Sequence, residues 1–154
     1  MNELVNPGWS SDWLWSVPLI ALTVTFHVWF TKHVYTAVLK IYRTRKHKGR
    51  LTSLLAGALM IVFTSLATLA HGIEGTFWAL AYLVLDALPD ARSAMLYSFN
   101  AITSYGHVGI DLAGHWRLMG ALEALNGILL FGVSTAFMFR LIGQFEFVDG
   151  GRGG

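Results

Sequence analysis

Three apolar runs, at residues 13–42, 51–88 and 116–142, constrain this 154-residue chain more than any other feature of its sequence. About 20 apolar residues suffice to cross ~30 Å of hydrocarbon, and each run offers at least that many. Only 13% of the residues are charged, roughly half the share in a soluble domain. Intrinsic disorder is excluded on the same ground, because disordered chains are rich in charge and poor in apolar residues. The runs therefore predict an all-α membrane protein with three transmembrane helices.

The polar exceptions within the runs are informative. In the first run, residues 17–30 are apolar apart from Thr and His27, and Lys32 follows with a stem long enough to snorkel. Trp9, Trp13, Trp15 and Trp29 are candidate interfacial anchors. The second run exceeds one perpendicular span, so it must tilt or protrude. It carries His71 and Glu74, one turn apart. The third holds Glu123 and Asn126, then Gly127 and Gly132, and ends near Arg140.

Residues 87–115 separate the second and third runs. Leu88-Pro89-Asp90 reads as a helix stop followed by a helix cap. Residues 91–103 then predict a helix of about three turns, too short to span. Residues 104–111 read as non-helical backbone, which is tolerated at membrane depth only where protein buries it or it lines a water-filled cavity. A short helix and such a loop together suggest a re-entrant segment, whose carbonyls can replace an ion's hydration shell. The chain thus divides into a first helix with its basic loop (1–50), a three-part body (51–143) and a Gly-rich tail expected to lack fixed structure (144–154).

Orientation follows from charge. Six of the eleven Lys and Arg residues fall between positions 40 and 50, where no acidic residue occurs. That patch points to a membrane surface rather than to nucleic acid, and positive-inside asymmetry makes it cytoplasmic. The N-terminus and the loop at 87–115 are then outside, and the C-terminus is cytoplasmic. The first eleven residues carry Glu3 and no Lys or Arg, unlike a cleaved signal peptide.

Residues 51–142 resemble the bacterial two-transmembrane, single-pore-loop ion channels related to potassium channels. The matching stretches are Ala70-His71-Gly72-Ile73-Glu74, Trp78-Ala79-Leu80-Ala81-Tyr82, Leu88-Pro89, the run to Thr103, and above all residues 116–132. That last stretch is similar to the inner helix of small proteobacterial members, which also carry an extra N-terminal span. The resemblance implies a re-entrant pore helix and loop in a homotetramer of the bacterial inner membrane, passing monovalent cations (K+ or Na+) and needing no cofactor. It places the filter at Thr103, Gly106, His107, Val108, Gly109, Ile110 and Asp111. The potassium-channel signature Thr-Val-Gly-Tyr-Gly-Asp is absent, and neither alignment register preserves two alternating Gly. Gly takes positive φ freely and Ile resists it, so the expected channel has weak or altered selectivity. The alternative is a non-conducting scaffold that lost its filter and serves as a sensor or interaction partner.

The remaining residues each carry two readings. His71 and Glu74 form either a proton-sensitive pair on an ion pathway or an interhelical hydrogen-bonding pair. Glu123 and Asn126 either support the pore loop from behind or face a cavity. Gly127 and Gly132 are gating hinges, as inner-helix Gly is in the resembled family, or simply permit close packing. His107, Asp111 and His115 have ligand-type side chains, but in a non-helical segment their spacing carries no metal signal. His27, His33 and His71 offer no axial pair for haem with an independent signal. Cys is absent, and no nucleophile–base pair or nucleotide fingerprint occurs, so no enzyme is expected.

The orientation is testable in this Cys-free background. A single Cys at Lys46 should stay unlabelled by a membrane-impermeant thiol reagent in intact cells and react after permeabilisation. Labelling in intact cells would reverse the topology.

Overall fold

The computed structural model describes residues 7–45, 50–106 and 109–150, and every regular element among them is helical. Helix α1 spans Pro7–Arg45, α2 Arg50–Val84, α3 Ala91–Ile102 and α4 Arg117–Gly150. A 3-10 turn at Gly114–Trp116 leads into α4. Ser10–Arg45, Leu51–Val84 and Gly114–Phe145 are long and apolar enough to cross a membrane. Their surfaces suit that solvent: Leu14, Ile61, Val84 and Phe139 all stand exposed on the single chain. Helices with apolar residues all round belong in a core or a bilayer. Trp13, Trp15 and Trp29 are exposed as well.

The helix ends have identifiable causes. α1 begins at Pro7, before the first apolar run, because proline in a first turn has no N–H to satisfy. α2 stops at Val84, short of the apolar run's end at 88. There Asp86 turns left-handed (φ 50°), its N–H donates to the Leu83 carbonyl, and the Ala87 N–H donates to the Tyr82 carbonyl. These bonds form a Schellman cap with Asp86 in the place Gly usually takes. α3 ends the same way: Ser104 has φ 55°, its N–H donates to Ala101, and the Tyr105 N–H donates to Asn100. At its start, Asp90 caps α3 by accepting the Arg92 and Ser93 N–H groups at 3.0 Å each and the Ser93 hydroxyl at 2.7 Å. The Ser93 bonds hold this exposed carboxyl below its ordinary pKa, because they favour its charged form. At 12 residues α3 is too short to span.

The chain packs as two compact units, Met1–His27 with His71–Leu130, and Val28–Ala70 with Phe131–Gly154. The first has a core of Trp78, Tyr82, Ala94, Tyr97, Ala101 and Met119, which places α3 against parts of α2 and α4. The second buries Tyr42, Phe63 and Leu141. In it, the Tyr42 and Phe145 rings lie 4.3 Å apart and the Tyr42 hydroxyl donates to the Phe145 carbonyl at 3.4 Å. Arg43 donates to Gln144 at 3.2 Å. Those contacts accompany a longer last helix than the sequence implied. α4 runs on to Gly150, so residues 144–150, expected as a tail without fixed structure, carry helical backbone. The centre of the basic loop (46–49) and residues 151–154 lie outside the described residues.

Close approach between α3 and α4 depends on Gly127. A Cβ there would collide with the Ile102 carbonyl, whereas a Cβ at Gly132 would meet nothing within 4 Å. Overpacking a site of this kind costs about 1–3 kcal/mol. Gly127→Ala should therefore lower Tm in detergent, while Gly132→Ala should leave it unchanged or raise it, since Ala is the better helix former. Equal Tm values for the two variants would contradict the close approach.

Candidate functional site

The first unit buries three helical carboxyl groups, Asp12, Glu74 and Glu123, and the last two each organise a polar cluster. Glu123 is carried by α4, two turns past the 3-10 turn, and is fully buried. Its Oε2 accepts the Tyr82 hydroxyl of α2 at 2.6 Å, and its Oε1 lies 2.5 Å from the Ser98 hydroxyl oxygen of α3. Ser98 also reaches the Gly75 carbonyl at 2.6 Å. A hydroxyl has one hydrogen to donate. Both Ser98 contacts are full hydrogen bonds only if Ser98 donates to Gly75 and the Glu123 carboxyl carries a proton that it donates to Ser98. Either way, one acidic side chain joins three helices, and α3 is held at its middle.

Small residues let α3 come this near. A Cβ on Gly120 would strike the Tyr97 hydroxyl, and one on Gly75 would sit 3.0 Å from the Phe99 ring. Together with Gly127, these glycines lie where α2 and α4 face α3. Asn126, one turn beyond Glu123, is also buried, but it points to the first helix: its Nδ2 donates to Thr23 Oγ1 at 2.8 Å. Thr23 in turn donates to the Leu19 carbonyl of its own helix at 2.9 Å.

The segment after α3 is non-helical through Ala113 among the described residues. Thr103 caps α3, its hydroxyl donating to the Phe99 carbonyl at 2.6 Å. Gly106 and Gly109 adopt φ 95° and 77°, conformations that only Gly takes without strain. Ile110 and Asp111 do not share that backbone form. Ile110 packs against the first core and Asp111 is exposed, while Leu112 is buried. The Ala113 N–H donates to the Ala87 carbonyl at 3.3 Å and so ties the loop's end to the turn before α3. His107 and Val108 lie outside the described residues.

The other cluster forms around Glu74 of α2, fully buried beside two imidazoles. His71, one turn earlier on α2, places Nδ1 3.1 Å from Glu74 Oε2. His27 of α1, also fully buried, places Nδ1 2.7 Å from Oε1. The two imidazole rings lie 4.9 Å apart, tilted by 34°. The sequence pairs His71 with Glu74 through helical spacing, but nothing in it joins His27 to them across 47 residues. The available signal was its solitary ionisable side chain in an apolar run. The hydroxyls of Ser98 and Tyr82 carry no signal of a cluster, since a hydroxyl in an apolar stretch is commonplace.

No family profile, curated protein or solved structure matches the chain significantly.

The Glu123 cluster can be tested by substitution. Breaking one buried polar contact typically costs ~1–3 kcal/mol. Glu123→Ala should lower Tm and increase hydrogen exchange at the amides of residues 91–102, and Glu123→Gln should do so less. Unchanged exchange in α3 would remove this anchoring role.

Proposed function

We propose that the chain is a subunit of a potassium-channel-like membrane channel that passes monovalent cations down their electrochemical gradient. The observation carrying this reading is the order of elements between two apolar helices. α3 is short, Ser98 fastens it to Glu123, and a non-helical segment with two positive-φ glycines follows. Such backbone at membrane depth needs either protein or a water-filled cavity around it. Thr103, Ser104, Tyr105, Gly106, Gly109 and Asp111 are exposed on the single chain, as the lining of an aqueous path would be. One such loop cannot enclose a path alone. In this reading four copies surround it in the bacterial inner membrane, with α3 as pore helix, α4 nearest the axis and the N-terminus outside.

The loop's backbone also bears on selectivity. A filter selective for potassium uses successive rings of carbonyl oxygens. The positive-φ glycines stand three residues apart at 106 and 109, without the alternation that would aim consecutive carbonyls along one axis. Fewer rings mean a wider or shorter filter, with Asp111 carboxylates from four subunits favouring cations at the outer mouth.

Purified protein in liposomes should therefore pass both K+ and Na+, with a reversal potential near zero under bi-ionic conditions. Asp111→Asn should reduce the cation current severalfold. Strong potassium selectivity would contradict the filter reading. No flux at all would favour a non-conducting scaffold.

A further inference from the structure

We propose that His27, His71 and Glu74 bind a divalent transition metal of the zinc class, fastening α1 to α2 inside the membrane-spanning part of the chain. This site is separate from the α3 loop, and the inference does not depend on whether the chain conducts ions.

The donor set is the first argument. One potential ligand atom from each residue lies within 4.8 Å of the others. Two imidazoles and one carboxylate form a ligand set that zinc accepts, leaving a fourth position for water. Imidazole also suits copper, iron and nickel, whereas magnesium and calcium prefer oxygen ligands. Bonds of about 2.0–2.2 Å in a tetrahedron separate neighbouring donor atoms by roughly 3.3 Å. The Nδ1–Oε distances of 2.7 and 3.1 Å, one to each carboxylate oxygen, lie just under that value, and the donor set as a whole spans no more than 4.8 Å, so an ion would draw its widest pair together on binding.

Burial is the second argument. His27 and Glu74 have no exposed side-chain surface, and His71 has 8%. Polar side chains in the middle of apolar helices are expensive and mark function by default. Glu74 brings a negative charge to this place when ionised, and neutral imidazoles do not cancel it. A divalent cation does. Glu74 Oε2 supplies the independent sign: it is buried and lies 3.1 Å from His71 Nδ1, yet it accepts no hydrogen bond among the described residues. An oxygen drawn into such a cluster without an aligned donor is placed as a metal ligand would be. The sequence positions fit as well, because His71 and Glu74 share one helix face and the third ligand arrives from a different helix, as a structural clamp requires.

The test uses the full chain in detergent, stripped of metal by chelator dialysis. Titrated with Zn2+, the protein should retain one metal per chain and gain Tm, since a ligand of the folded state raises stability by mass action. His27→Gln and His71→Gln should bind Zn2+ at least tenfold more weakly, whereas His33→Ala and His115→Ala should bind as the parent does. X-ray absorption on the unmodified zinc-loaded protein avoids reliance on variants that fail to fold, and it should show two imidazoles with carboxylate oxygen. Stoichiometry well below one, undiminished binding by the His27 and His71 variants, or a first shell without imidazole would each overturn the site.

Discussion

A carboxyl group carried into an apolar helix has to find its partners inside the protein, because neither lipid nor a packed core supplies them. Glu123 and Glu74 are both in this position, and both are fully buried. Glu123 draws Tyr82 and Ser98 to itself from two other helices. Glu74 does the same with His27 of α1. Around these two groups the first unit acquires specific neighbours, whereas apolar packing alone would allow many near-equivalent slides of one helix along another.

The Glu123 cluster has a geometric counterpart. Its contacts require α3 to sit close to α2 and α4, where a Cβ at Gly127 would meet backbone and one at Gly75 or Gly120 would crowd the Phe99 or Tyr97 side chain. Gly127 therefore has a packing role irrespective of any hinge, since the Ile102 carbonyl occupies the space a Cβ would need. The non-helical segment that follows is then fastened at both ends, by the cap at Ser104 and by the Ala113–Ala87 hydrogen bond. A loop held in this way has a defined entry and exit, which a filter would need.

The parts of the fold readable from sequence were those encoded locally. The lengths of the apolar runs announced three helices long and apolar enough to span a membrane, and Pro89 with Asp90 announced the start of α3. The end of α2 was harder to place, because apolar residues continue past it and the stop depends on Asp86 adopting a left-handed conformation usually left to Gly. The far end of α4 is not legible locally, because glycine-rich composition argues for a tail, while Phe145 packs against Tyr42 more than a hundred residues away. In the clusters, Glu123 and the His71–Glu74 pair stood out as ionisable residues in apolar runs. Their pairing with His27, Ser98 and Tyr82 was not legible, since tertiary contacts that no spacing encodes bring these residues in.

In the proposed channel, residues 103–113 line an ion path shared by several copies of the chain. Cryo-electron microscopy of the full chain in lipid nanodiscs tests this most directly. Four copies are expected around one axis, with this segment of each copy turned toward the axis and α4 lining the path below it. A monomer, or an assembly in which residues 103–113 face lipid, would contradict it.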